Sequence, residues 1–127
     1  IFTKIINGEI PCHKIYEDER TFVFLDIHPA QPGHTLVISK TPVETFLDLD
    51  EQDAAALWQT VHKVGAKLKQ AFPDKKRIGV LVEGFDIPHA HVSLIPVNSG
   101  AELRNIADPD AEVDHPALAA LAQKLAF

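Results

Sequence analysis

The 127-residue sequence predicts a single α+β domain, residues 1–127, built on an antiparallel sheet of about five strands. Three observations predict this class. Short apolar runs rich in β-branched residues alternate with turn signals, which is typical of strands. One long segment, residues 50–72, carries apolar residues at helical spacing over many turns. A shorter amphipathic segment, residues 116–126, predicts a C-terminal helix.

The first part of the chain predicts a helical turn followed by three strands. Residues 1–10 are typical of a short helix that ends at Asn7-Gly8, because glycine is favoured just after a helix. Residues 15–25 predict a hairpin in which two apolar strands flank a charged turn. A Pro/Gly-rich loop, residues 29–33, then leads into a third strand in "HTLVISK".

The second part predicts the long helix, two further strands and the closing helix. Asp48 or Asp50 is placed to cap the long helix, and Pro73 ends it. "RIGVLVEGF" and "HAHVSLIPV" predict two apolar strands joined by a very short link, residues 85–88. Residues 98–114 are acidic and predict a loop before the closing helix, whose proline suits a first helical turn.

Composition and charge limit the classes of function. A hydrophobic content of 46% with 24% charged residues is ordinary for a globular protein. A net charge of −6 argues against a nucleic-acid polymer as partner, since neutralising phosphates requires clustered Lys and Arg. Cys12 is the single cysteine, so an intrachain disulfide is excluded. Without a long apolar run or a signal-peptide pattern, we expect no membrane partner and a cytoplasmic location.

The stretch "GFDIPHAHVSLIP" places two histidines two residues apart. Alternate side chains of a strand share one face, so His89, His91 and Ser93 are predicted on one side of the sheet. A rise of about 3.3 Å per residue separates the two imidazoles by roughly 6.5–7 Å, enough to flank a phosphate-sized group. Taken alone, without the flanking segments, the pair is more simply interpreted as structural.

Three segments together resemble the histidine triad (HIT) family of nucleotide hydrolases and transferases. They are the N-terminal turn, the block "FLDIHPAQPGHTLVI" and the His-x-His strand before Leu-Ile-Pro, in the family's order and spacing. The resemblance covers residues 1–97 and implies a HIT-like fold. Residues 98–127, a C-terminal loop and helix, lie outside the motif region.

The resemblance also implies which residues perform the chemistry. His91 stands at the position of the middle histidine, the nucleophile that attacks the α-phosphorus and forms a nucleotidyl-histidine intermediate. The backbone carbonyl of His89 is implied to accept a hydrogen bond from the His91 ring. His34, from "PGH", is implied to pack beside these histidines. The catalytic set is therefore His91, His89, Ser93 and His34, and no cofactor is implied.

A purine nucleotide or nucleotide conjugate is the implied ligand. Asp26 of "FLDI" matches the carboxylate that accepts hydrogen bonds from the ribose hydroxyls. The apolar walls around the base match Phe2, Ile5, Phe24 and Ile27. Considered without the resemblance, Asp26 is more simply a turn residue before Pro29, and Phe24 is a core residue.

The sequence departs from the family pattern in three places. Ser93 replaces the third histidine, and a neutral hydroxyl can donate a hydrogen bond but carries no positive charge. The loop before His89 is short and acidic, with Glu83 and Asp86, whose carboxylates would repel phosphate. The Cys-x-x-Cys zinc pattern of many bacterial members is absent, since Thr3 stands at its second cysteine position, so no metal is expected.

Three hypotheses about function follow. The first is a nucleoside phosphoramidase or phosphohydrolase that works through His91. The second is a catalytically weakened nucleotide-binding or dimeric interaction module. The third is a metal site built on His89, His91 and His34. Family members are typically dimers, which implies a homodimer that pairs through the "RIGVLVEG" strand and the helix carrying Trp58.

Overall fold

The computed structural model describes residues 1–127 and contains one five-stranded antiparallel sheet in the order β1-β2-β3-β5-β4. The strands are β1 (Lys14–Glu17), β2 (Thr21–Leu25), β3 (Thr35–Ser39), β4 (Arg77–Leu81) and β5 (His91–Val97). The helices are α1 (Phe2–Ile6), α2 (Glu51–Ala71), α3 (Gly100–Leu103) and α4 (His115–Leu125), with a 3-10 turn at Phe46–Asp48. The predicted α+β class and five-stranded sheet are confirmed.

The long helix α2 begins where the sequence predicts. Asp50 is the cap, because its side chain accepts a 2.8 Å hydrogen bond from the backbone N–H of Asp53. Asp48 instead bonds back to Thr45 within the 3-10 turn. The acidic residues Glu51 and Asp53 lie in the first turn of α2, where the helix dipole favours negative charge.

One face of the sheet, here called the closed face, is covered by two helices. Side chains from the strands pack there against α2 and α4 in a cluster of 12 buried residues. These residues are Ile15, Val23, Leu25, Val37, Val92 and Leu94 from the strands, with Leu57, Val61, Val64 and Leu68 from α2 and Ala122 and Leu125 from α4. This cluster is the main hydrophobic core of the domain.

The opposite face, here called the open face, is covered by the five-residue helix α1. Phe2 and Ile5 of α1 pack on β2 and β3 in a smaller cluster of 6 buried residues. The strand residues of this cluster are Phe22, Phe24, Leu36 and Ile38. His91 and Ser93 pair with Ile38 and Leu36 in the β3–β5 ladder, so both belong to the open face.

The connection between β4 and β5 is longer than predicted. Strand β4 ends at Leu81 and β5 begins at His91, so the link covers residues 82–90 instead of 85–88. Gly84 turns the chain there with φ of 73°, a conformation that favours glycine. Because Leu81 and Ser93 form the last β4–β5 pair, His91 is paired on one side alone, with Ile38 of β3.

The C-terminal segment also differs from the prediction. Ser99 caps the short helix α3 in a stretch predicted to be a loop. The side chain of Leu103 covers Gly79 of β4 so closely that a Cβ there would lie 2.6 Å from a Leu103 methyl carbon. The closing helix is confirmed with a shift of one residue, and Asp114 caps it. None of the helices combines the length and apolar character needed to cross a bilayer.

Candidate active site

The two histidines of "HAH" lie together on the open face, at the start of β5. The Phe2 ring contacts both, with its centroid 5.6 Å from that of His89 and 5.3 Å from that of His91. Both contacts are edge-to-face, with interplanar angles of 66° and 89°. His89 precedes β5, which begins at His91, so the predicted strand starts two residues too early. Both imidazoles nevertheless contact the same ring, that of Phe2.

The hydrogen bond of His91 defines its neutral tautomer. Its Nδ1 lies 2.7 Å from the backbone carbonyl oxygen of His89. A carbonyl oxygen can only accept, so Nδ1 carries the proton. In the neutral ring, Nε2 then keeps a free lone pair. The half-buried His91 is thus oriented as a nucleophile or a hydrogen-bond acceptor.

His89 is held by a second backbone carbonyl. Its side chain is buried, with 6% of the residue exposed, and its Nε2 donates a 2.6 Å hydrogen bond to the carbonyl oxygen of Ser39. Burial lowers the pKa of His89 because it disfavours the charged ring, and the bond to Ser39 opposes this effect. A fixed, neutral His89 keeps its own carbonyl directed at His91.

His34 lies just before β3, beside Asp26. The backbone N–H of Ala30 donates a 3.1 Å hydrogen bond to Nδ1 of His34, so the proton of the neutral ring is on Nε2. That Nε2 is buried without a hydrogen-bond partner, 3.7 Å from Oδ2 of Asp26. Burial lowers the pKa of His34, Asp26 opposes the shift, and the nearby His91 adds to it.

Asp26 has a structural contact and a free oxygen. Its Oδ1 accepts a 2.9 Å hydrogen bond from the backbone N–H of His28, which supports the interpretation as a turn residue. Its backbone N–H also donates to the carbonyl oxygen of His34. Oδ2 makes no hydrogen bond within the protein, and the nearest ring nitrogen, Nε2 of His34, lies 3.7 Å away. One carboxylate therefore closes the turn and still presents an acceptor.

Ser93 and the acidic loop border the same region. The Ser93 hydroxyl is half-buried and makes no hydrogen bond within the protein. The link that precedes His89 exposes Glu83, Phe85 and Asp86. Ile87 anchors this link by packing against the cluster that contains Phe2.

The four predicted apolar wall residues do not form one group. Phe2, Ile5 and Phe24 are buried together in the open-face cluster. Ile27 is 42% exposed and lines a cleft beside the C-terminal segment. Sequence reasoning missed Ser39, whose contribution is a backbone carbonyl and therefore leaves no signal in residue type.

A metal centre receives no support from the geometry. No group of three or more His, Cys, Asp or Glu side chains is arranged to hold an ion. His89 and His91 each direct one ring nitrogen at a backbone carbonyl. Zinc requires about four ligands, so the three-histidine hypothesis has too few donors.

Comparison with known proteins identifies the family. A family model described as the HIT domain matches residues 7–112. The chain belongs to the HIT family. An uncharacterized HIT-like protein of Methanocaldococcus jannaschii is 39% identical over 103 residues, which cover 79% of this chain and 80% of that protein. HIT proteins are generally nucleotide hydrolases or transferases.

The chain is also similar to a relative named for its activity and to proteins of solved structure. An adenosine 5'-monophosphoramidase of Schizosaccharomyces pombe is 34% identical over 100 residues, covering 76% of this chain and 72% of the relative. A hypothetical histidine triad nucleotide-binding protein from Sulfolobus tokodaii superposes with a TM-score of 0.83 at 31% identity, over 98% of this chain and 87% of that one. A HIT-like protein from Bartonella henselae gives 0.81 at 30% identity, over 98% and 92%.

Proposed function

We propose that this HIT protein hydrolyses purine nucleotide conjugates, such as nucleoside phosphoramidates, through a nucleotidyl-histidine intermediate on His91. The observation that carries the proposal is the 2.7 Å contact between His91 Nδ1 and the His89 carbonyl. In the neutral ring, this contact leaves the lone pair of Nε2 free. The name of the fission-yeast relative, a monophosphoramidase, supports the substrate class.

The reaction proceeds in two displacements at the α-phosphorus. In the first, the Nε2 lone pair of His91 forms a bond to phosphorus while the bond to the leaving group breaks. The leaving group takes that electron pair and a proton from solvent. The positive charge on the ring is stabilised by Nδ1–H donating to the His89 carbonyl. In the second, water attacks phosphorus, releases a proton, and returns the Nε2 pair to the ring.

The remaining site residues bind and orient the nucleotide in this proposal. The free Oδ2 of Asp26 accepts hydrogen bonds from the ribose hydroxyls, while Oδ1 keeps the turn closed through His28. The base packs on the apolar residues of the open face, Phe2, Ile5 and Phe24, whereas Ile27 lies apart from them on the neighbouring cleft. Nε2 of His34 lies 3.7 Å from Oδ2 of Asp26, too far for a hydrogen bond in the free protein, so this oxygen stays open to the ribose.

Ser93 makes the expected enzyme slow but not inactive. A histidine at this place carries charge or a proton toward the phosphate, whereas a hydroxyl donates one neutral hydrogen bond. General acid–base contacts contribute roughly 10²–10⁴ in rate. The free Ser93 hydroxyl therefore favours conjugates with good leaving groups, which need little protonation.

The decisive experiment traps the intermediate. The protein is incubated with adenosine phosphoramidate labelled in the α-phosphate, quenched in base, and examined for label attached to protein. We expect an adduct in the wild type and none in His91→Ala. His62→Ala is the matched control, because His62 is an exposed histidine on α2. An adduct that persists in His91→Ala overturns the assignment of the nucleophile.

A weakened binding module is the second candidate function. The acidic residues Glu83 and Asp86 on the link before His89 favour it, because carboxylates oppose phosphate binding. This candidate predicts saturable AMP binding by calorimetry with neither adduct nor turnover. Label on protein with steady release of AMP would exclude it.

We also propose a cytoplasmic homodimer. Strand β4 lies at the edge of the sheet and carries the exposed Val80, and α2 carries the exposed Trp58. A second copy would cover this apolar edge. Size-exclusion chromatography at micromolar concentration checks the assembly, since a species of the chain's own 14.0 kDa alone would contradict it.

A further inference from the structure

A second cleft lies between the loop that joins β2 to β3 and the C-terminal segment. Its volume is about 500 Å³, within the size range of small-molecule sites. The loop wall includes Ile27, His28 and Pro29, and the opposite wall includes Ile106 and Ala111. None of Phe2, His89, His91 and Ser93 lines it, so it is separate from the histidines of the open face.

The walls of this cleft are tied to each other and to the core. Asn105 donates a 3.1 Å side-chain hydrogen bond to the backbone carbonyl of Ala30, which holds the C-terminal segment against the loop. Leu118 and Leu121 of α4 form the apolar base, and both also pack against the closed-face cluster. The cleft is therefore built by tertiary contacts between the loop, the C-terminal segment and the core.

The charges around the cleft have one sign. Asp108, Glu112 and Asp114 line it, and no lysine or arginine does. Asp108 and Asp114 each use one oxygen to accept a backbone N–H, which leaves the other oxygen free. Glu112 makes no hydrogen bond or ion pair within the protein. The carboxylates thus form no ion pair with a protein cation. Ile106, which also lines the cleft, is 91% exposed.

We propose that this cleft binds a small molecule with an apolar ring system and a protonated amine. The ring would replace water on the apolar base formed by Leu118 and Leu121, which gains free energy from burial. The amine would pair with the carboxylates, above all with the unpaired Glu112. Anions of the same shape are excluded by the same charges. The proposal does not depend on nucleotide hydrolysis.

Tryptamine is the probe, and two indoles of matched size test the charge. Indole-3-ethanol is neutral and indole-3-acetate is an anion. Each is titrated into the full chain at low salt, and the methyl NMR signals of Ile27, Ile106 and Ala111 are followed. A ligand of this size is expected to bind with a Kd on the order of 1 mM. We expect shifts with tryptamine, several-fold weaker binding of the alcohol, and none of the acetate.

Substitutions locate the binding and give the overturning result. Ala111→Trp places a large side chain into the cleft from an exposed position, and should abolish the tryptamine shifts. Glu112→Gln should weaken tryptamine binding about three- to tenfold. Asp110→Asn is the control, because it removes a charge of the same segment that does not line the cleft, and it should have a smaller effect. Equal binding of the three indoles, or equal effects of Glu112→Gln and Asp110→Asn, overturns the proposal.

Discussion

The two faces of the sheet differ in how completely they are covered. On the closed face, α2 and α4 bury 12 residues, and Gly65 of α2 allows the helix to approach Leu94 closely. On the open face, one helix of five residues, α1, covers 6 buried residues. The difference shows how one sheet serves two purposes. Burial on the closed face stabilises the fold, which leaves the open face free to hold half-buried polar groups such as His91.

The largest expected effect is on stability, and it separates the two faces directly. Leu94→Ala removes a side chain enclosed by α2, where the surroundings have little freedom to collapse. We expect it to lower the free energy of unfolding by about 3–5 kcal/mol. Leu36→Ala, on the open face, should cost about 2–3 kcal/mol, because α1 can shift inward.

Urea unfolding of both variants measures this difference. The two variants can be compared directly, because each deletes the same atoms of a leucine side chain from one of two neighbouring strands. Equal losses for Leu94→Ala and Leu36→Ala would show that the small helix packs as rigidly as the two large ones, and would remove the contrast between the faces.

The parts of the fold that the sequence predicts are those fixed by local signals. The hairpin around the charged turn, the cap at Asp50 and the end of α1 before Gly8 depend on residues a few positions apart. The end of β4 at Leu81 and the helix α3 were missed. The first depends on where β5 stops pairing, and the second on Leu103 packing over Gly79, and both involve distant segments.

The candidate site also contains features fixed by local signals and features that depend on distant segments. His34 and Asp26 belong to the same motif block, eight residues apart, so their proximity could be predicted from the sequence. The hydrogen bond from His89 to the Ser39 carbonyl could not be predicted in this way. It joins residues 50 positions apart, and its acceptor is a backbone atom that every residue carries. The turn contact of Asp26 was foreseen as an alternative to the ribose role, and the structure leaves room for both because the two oxygens differ in their partners.

Ser93→His adds an ionisable side chain to the open face and leaves the closed face unchanged. A histidine there supplies the proton or positive charge that the hydroxyl lacks. We expect turnover of a conjugate with a poor leaving group to rise at least about tenfold, and that of a good leaving group to change little. Steady-state kcat on alkylamine and p-nitrophenyl conjugates of AMP gives the ratio. Unchanged rates on both substrates would show that this position does not limit the reaction.

Substitutions of Asp26 test whether its contribution to nucleotide binding can be separated from its contribution to the stability of the fold. Asp26→Asn keeps an oxygen for the His28 N–H but removes the charge, and Asp26→Ala removes both. We expect both variants to weaken AMP binding by about 1–3 kcal/mol in calorimetry, because hydrogen bonds to a charged group are lost. Asp26→Ala alone should also lower the melting temperature. Unchanged AMP affinity in both variants would leave Asp26 with its turn role only.

The smallest expected effect is the acid sensitivity of the open face. Burial lowers the pKa of His34 below its ordinary value of about 6.5, and it also lowers the pKa of His89. Below pH 6.5 the unfolded chain therefore binds more protons than the folded one. Stability is fully present above this pH and falls as the pH decreases, by at most about 1.4 kcal/mol per pH unit for each histidine.

Melting temperatures between pH 7.5 and 5.5 test this expectation, because this range spans the ordinary pKa of histidine. His34→Asn keeps an acceptor near the position of Nδ1 for the Ala30 N–H but cannot be protonated. We expect its melting temperature to fall less than that of the wild type over this range. In the wild type, Asp26 opposes the lowering of the His34 pKa and the nearby His91 adds to it, so the measured difference reports the net effect of burial and both neighbours. An identical fall in both proteins would assign the acid sensitivity to His89 or to other groups, because His34 would then contribute no difference in proton binding.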